Sequence, residues 1–166
     1  MTSLSESSIN DKSPYRVNIS GNSTISFVTD AGRQYIAGFV LDEMIKNEGI
    51  YQFFLTDESG SLGFKADAKV HDTVLAILDD FFKSGDVALV YICDTSDGRQ
   101  NSRDRLFDRW YKAYPDRLKF VKSTKCIDYL GDNYYVSLLV PRKHPECEDI
   151  IRAFNEFESG LKEKLM

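Results

Sequence analysis

Residues Val87-Ala88-Leu89-Val90-Tyr91-Ile92-Cys93 form a run of strand length with no charge and no polar alternation. A strand wetted on one face alternates apolar and polar positions, whereas one covered on both faces does not. The run therefore predicts a central strand with packed layers on both sides, and the rest of the chain must supply those layers.

The segments before it do so in two periods. Ile25, Phe27 and Thr29 alternate with Ser26 and Asp30, the turn residues Asp30-Ala31-Gly32 follow, and Tyr35, Ala37 and Phe39 continue the alternation. This pattern reads as a β-hairpin. Residues 50–56 give a third strand, with Tyr51, Phe53 and Leu55 on one face and Gln52 and Phe54 on the other. A weaker strand is expected near Tyr15 to Ile19, and the stretch from Leu41 to Glu48 fits either a strand extension or one helical turn.

The period then changes from 2 to 3.6. Val70, Val74, Ile77, Leu78 and Phe81 make an amphipathic stripe, with Asp67 placed to cap its start and Gly85 placed just past its end. After the apolar run comes a polar turn, then a second helix from about Gln100 that buries Leu106, Phe107, Trp110, Tyr111 and Tyr114 before Pro115. Two strands follow, Leu118 to Ile127 and Tyr134 to Val140, and then a third helix opened by Pro145-Glu146, with the stripe Ile150, Phe154, Phe157 and Leu161. The order predicts an α+β fold, a mixed and mainly antiparallel sheet carrying three helices.

At 166 residues, 42% hydrophobic and 13% aromatic, the chain has material for one packed core. Residues 1–14 are Ser-rich and polar and are expected to be a disordered tail, with 15–166 as a single domain. The opening residues lack both a basic stretch and an apolar core, so they are not a secretion signal, and no apolar run is long enough to span a bilayer. Cys93, Cys126 and Cys147 are an odd number at wide spacing, giving neither a disulfide framework nor a metal knuckle. Cys93 and Cys126 stand in apolar runs and are expected to be buried as small hydrophobes. These features lead to the expectation of a cytoplasmic protein with no membrane partner and no metal.

The formal net charge is −5, from 26 acidic and 21 basic residues. Between Arg99 and Lys125, nine Lys or Arg stand against three Asp, a local +6 within an otherwise acidic chain. Tyr111, Tyr114, Tyr134 and Tyr135 lie in or near this stretch and could stack on bases, but the acidic total and the lack of an RNP-type motif disfavour nucleic acid. His71 and His144 have no ligand-spaced partner, and His144 is placed to cap the third helix.

The densest polar cluster is Asp94-Thr95-Ser96-Asp97-Gly98-Arg99, followed by Arg103. It sits where a buried strand ends and a helix begins, the position at which backbone amides and the positive end of the dipole accept anions. Arg99 and Arg103, four residues apart, share one helical face and could grip a phosphate or carboxylate. The same residue types also cap helices and close turns, so a purely structural role is the competing explanation. Gly60-Ser61-Leu62-Gly63-Phe64-Lys65 is a lesser candidate, a Gly-rich loop without the spacing of a nucleotide motif.

Tyr91-Ile92-Cys93-Asp94-Thr95-Ser96-Asp97-Gly98-Arg99-Gln100, Arg103-x-Arg105-Leu106-Phe107-x-x-Trp110, Tyr134-Tyr135-x-Ser137-Leu138-Leu139-Val140 and Thr29-x-x-Gly32-x-x-Tyr35 together resemble a small bacterial family of unknown function. That resemblance brings no activity with it.

The element order is also similar to the core of the GCN5-related N-acetyltransferases. This resemblance implies acetyl-CoA as cofactor, with its pyrophosphate on amides between the third strand and the first helix. The chain has Gly60-x-x-Gly63 there rather than the full motif, and Phe107 falls where that family carries an acidic tyrosine. Two functions are thus expected in competition. One is a binding or interaction domain that takes a small anion or a protein partner through 94–103. The alternative is an acyl-CoA-dependent N-acyltransferase with Asp94 as candidate base.

Overall fold

The computed structural model describes residues 4–21, 23–43, 45, 49–58, 67–93, 111–114, 117–129 and 132–156. Helix α1 is Glu6–Lys12, followed by strands β1 (Asn18–Ile19), β2 (Ile25–Val28), β3 (Gln34–Leu41) and β4 (Ile50–Asp57). Helix α2 is Ala68–Lys83, β5 is Ala88–Cys93, β6 is Phe120–Tyr129, β7 is Asp132–Pro141 and α3 is Cys147–Glu156. Residues 111–113 are helical, and Arg117–Lys119 form a 3-10 turn. The strand order is β1-β2-β3-β4-β5-β7-β6. The pairs β1–β2, β2–β3, β5–β7 and β6–β7 are antiparallel, while β4–β5 is parallel. This is the expected α+β class with a mixed, mostly antiparallel sheet. No helix among the described residues is long and apolar enough to cross a membrane.

The chain divides into two compact units, Met1–Phe39 with Phe53–Gly85, and Val40–Gln52 with Asp86–Met166. In the first unit the period-2 and period-3.6 stripes meet. Ile25, Phe27, Tyr35, Ala37 and Phe53 are buried from the strands, and Val70, Val74, Ile77 and Phe81 from α2. Aromatic rings make up much of the interior. Tyr15, Phe27 and Tyr35 stack in series, and Phe39 lies flat against Phe81 with centroids 4.2 Å apart. The hairpin turn closes as expected, with the Gly32 amide donating to the Thr29 carbonyl and Gly32 at a φ of 82° that favours glycine. Gly38 permits a close approach, since a Cβ there would stand 2.7 Å from Cζ of Phe54.

Within residues 4–14 the chain forms α1. Ser5 caps it, Ile9 is fully buried, and Lys12 pairs with Asp79 at 2.6 Å. The Asn10 side chain accepts from the Val17 amide at 2.7 Å and donates to the Val17 carbonyl at 3.0 Å. One amide side chain thereby satisfies both backbone groups of a buried residue, as a neighbouring strand would. These bonds tie α1 to Val17 and Asp79 within the first unit.

In the second unit the apolar run is buried as expected from Val87 to Tyr91, while the side chains of Ile92 and Cys93 lie outside the described residues. Ala88 and Val90 join Ile45, Ile50, Val136, Leu138, Val140, Ile150 and Phe154 in one core, so α3 covers one face of this part of the sheet. The stretch from Leu41 to Glu48 begins as strand, since β3 runs to Leu41, and its described residues beyond that are neither strand nor helix. Buried Asp42 organises it by accepting from the Ile45 amide at 2.8 Å and from the Gln52 side-chain amide at 2.7 Å. His144 does cap α3: its Nδ1 accepts from the Glu146 amide at 3.0 Å and its carbonyl from the Cys147 amide at 3.1 Å.

Candidate functional site

Asp94, Thr95, Ser96, Asp97, Gly98, Arg99 and Arg103 lie outside the described residues, as do Gly60, Gly63 and Lys65. The strand end from which the 94–103 segment departs is described, and it belongs wholly to the second unit. In register, Leu89 pairs with Leu139, Tyr91 with Ser137 and Cys93 with Tyr135 across β5 and β7. The same β7 positions pair onward with Lys122, Thr124 and Cys126 of β6. Successive residues of a strand face opposite sides, so the first two of these rows lie on the side away from α3.

Along that side the chemistry changes with direction. Near the start of β5 the row is Leu89 and Leu139, closed at the β6 end by Lys122. One row nearer the carboxyl end of β5 it is Tyr91, Ser137 and Thr124. Ser137 is fully buried, and its hydroxyl hydrogen-bonds that of Thr124 at 2.8 Å. A hydroxyl buried in a sheet needs such a partner, because an unmade bond there costs about 1–3 kcal/mol. Residues Tyr111 to Tyr114 attach on this side. Lys122 Nζ stands 5.5 Å above the Tyr111 ring, Tyr114 and Phe120 have centroids 5.9 Å apart, and the Tyr111 hydroxyl donates to the Arg117 carbonyl at 3.1 Å. Tyr111 is helical and Tyr114 follows the helical residues, and both are half-buried rather than buried as expected; the rest of the expected helix, with Leu106, Phe107 and Trp110, lies outside the described residues.

Lys125 lies on the opposite side, where its ammonium donates to the Asn155 carbonyl at 2.7 Å and stands 5.3 Å above the Phe154 ring. A cation near the last carbonyls of α3 is favourable to the helix dipole. Cys126 is exposed rather than buried; among the described residues β6 ends the strand order and has β7 alone beside it. Among the described residues no group of His, Cys, Asp and Glu has the arrangement of a metal site.

A second polar cluster, in the first unit, was not legible in the sequence. The Tyr15 hydroxyl donates to Asp67 at 2.7 Å and accepts from the Asp30 amide at 3.2 Å. Lys69 donates its amide to the capping oxygen of Asp67 and its ammonium to Asp30, each close to 2.8 Å. Burial and then the bond to Asp67 push the Tyr15 hydroxyl above its ordinary pKa, and burial followed by the Asp57 charge does the same to Tyr35. The bond to Asp30 raises the Lys69 ammonium. Perturbed groups mark functional sites and structural ion-pair networks alike. Here the hydroxyl, amide and ammonium donors each end on a named acceptor, tying the hairpin turn to the start of α2, so the cluster is a clasp. Its sequence signal is limited to Asp67 as a cap, since the pairings of Tyr15 with Asp67 and of Lys69 with Asp30 span long stretches of chain.

Searches of curated proteins and of solved structures return no match to this chain. A family model described as a family of unknown function (DUF6169) matches residues 66–156, a little over half the chain, from just before the cap of α2 to the end of α3, and the chain belongs to that family.

Proposed function

We propose that this chain is a binding domain whose contact site is the turn 94–103, taking an anionic small molecule or the carboxylates of a partner between Arg99 and Arg103. The observation that carries the reading is the row Tyr91, Ser137 and Thr124 beside the end of β5. Polar groups there replace the Leu89 and Leu139 of the preceding row, at the point where Asp94 follows Cys93. β5 pairs in parallel with β4 through Ile50↔Ala88, Tyr51↔Leu89 and Gln52↔Val90. The carboxyl ends of parallel-paired strands are where open α/β sheets receive ligands.

The acyltransferase alternative draws on the same parallel pair, which stands in one sheet with four antiparallel pairs, with α2 in the connection between its strands. One thermal-shift screen separates the two readings. At a hundred times its Kd a ligand stabilises the folded state by about 2.7 kcal/mol. Stabilisation by sulfate or phosphate, with no added gain from CoA or acetyl-CoA over their phosphate content, supports the binding domain. A gain specific to the CoA species supports the acyltransferase.

A further inference from the structure

β6 occupies the end of the strand order, with β7 on its inner side. The Arg142 amide donates to the Lys119 carbonyl at 2.8 Å, one step beyond the Phe120↔Pro141 pair. In an antiparallel ladder, hydrogen-bonded pairs alternate with pairs that share no bond. Val121, Ser123 and Lys125 therefore turn their amides and carbonyls toward β7, while Phe120, Lys122, Thr124 and Cys126 turn theirs outward. Among the described residues no strand meets that outer edge.

Such an edge is a template for another strand. Its charge selects which strand. From Tyr111 to Ile127 the chain carries Lys112, Arg117, Lys119, Lys122 and Lys125 against Asp116 alone. Lys122 and Lys125, three apart, stand on opposite sides of the sheet, one over Tyr111 and the other at the end of α3. Pairing β6 with β6 of a second copy would bring these lysines together, which like-charge repulsion opposes. A strand bearing carboxylates meets the same lysines with the opposite sign.

We infer that the outer edge of β6 captures an extended acidic segment of a partner protein by strand addition, with carboxylates three residues apart opposite Lys122 and Lys125. Backbone bonds supply the register and the two carboxylates supply the selection. This inference uses none of the residues 94–103 and stands or falls without them.

The test uses the full chain and a labelled peptide, acetyl-Thr-Val-Glu-Thr-Val-Glu-Val-Thr-amide, followed by fluorescence anisotropy. Saturable binding is expected, weakened about tenfold or more by Cys126→Pro, which removes an outward amide, and by Lys122→Glu. A peptide with lysine in place of its first or its second glutamate should recover binding to the Lys122→Glu chain, according to strand direction. N-methylation at alternate peptide residues gives a measure independent of the variants' folding: one alternate set abolishes binding and the other spares it. Equal affinity for peptides with both glutamates and with two lysines, or indifference to both N-methyl sets, overturns the proposal. So does a concentration-dependent dimer of the chain that the acidic peptide leaves intact, because it assigns the edge to a second copy.

Discussion

The hydroxyls of Ser137 and Thr124, on neighbouring strands, are 2.8 Å apart, and the first is fully buried while the second is exposed. The two substitutions at this bond should therefore be unequal. Ser137→Ala removes the buried group and leaves Thr124 to water, costing about 1 kcal/mol. Thr124→Val strips the partner from a hydroxyl that water does not reach, and should cost about 1–3 kcal/mol. Urea unfolding of both variants measures the difference, and equal losses would show that the bond does not organise this row.

Asn10 holds Val17 by both backbone groups, so Asn10→Ala leaves a buried amide and carbonyl without those bonds. A loss of about 2 kcal/mol is expected. Ile9→Ala, which empties a fully buried site on α1, should cost about 2–5 kcal/mol. Both variants should also expose residues 4–17 to limited proteolysis. Wild-type stability in either variant would mean that α1 is not docked as described.

The contrast between α1 and α2 shows what was legible in the sequence. α2 announces itself by a local, repeated signal, since Val70, Val74, Ile77, Leu78 and Phe81 recur at helical spacing behind the cap Asp67, and all five are buried. β5 is equally plain, because an unbroken apolar run has few places to go except the middle of a sheet. α1 offers one buried residue, Ile9, and is fixed by Asn10 to Val17, Ser5 to Asp80 and Lys12 to Asp79. None of those pairings leaves a periodic trace. The exposure of Cys126 was illegible for a related reason: its apolar neighbours suggest burial, and only the strand order puts β6 at the end of the described strands. The candidate site at 94–103 rests on residue types alone, Arg99, Arg103 and the polar cluster that follows the apolar run, and it lies outside the described residues.

The first unit should weaken in alkali. The hydroxyls of Tyr15 and Tyr35 have folded pKa values raised above the ordinary 10.0, and the ammonium groups of Lys12 and Lys69 are raised above 10.5. For each group the folded state holds its proton longer than the unfolded state. The stabilisation is fully present below the ordinary pKa and is lost as pH rises through the folded one. Unfolding free energy should thus fall progressively from about pH 10 upward, and Tyr15→Phe should make that decline shallower. An unchanged alkaline slope in Tyr15→Phe would contradict the contribution assigned to the clasp with Asp67.

Gly49 holds a φ of 81°, and a Cβ there would stand 3.3 Å from the Asp86 carbonyl. Gly49→Ala should cost about 1–3 kcal/mol through backbone strain in the left-handed region. A thermal scan checks this, and an unchanged midpoint would show that the turn before β4 can relax.

The central claim is that Arg99 and Arg103 grip an anion at the end of β5. Isothermal titration of phosphate into the wild-type chain and into the Arg99→Ala, Arg103→Ala double variant tests it most directly, with unfolding in the absence of phosphate as the reference. The account predicts saturable binding that the double variant loses, together with an unchanged midpoint in anion-free buffer. Binding that survives in the double variant, or a loss of stability that is the same with and without phosphate, would contradict it and make the two arginines structural.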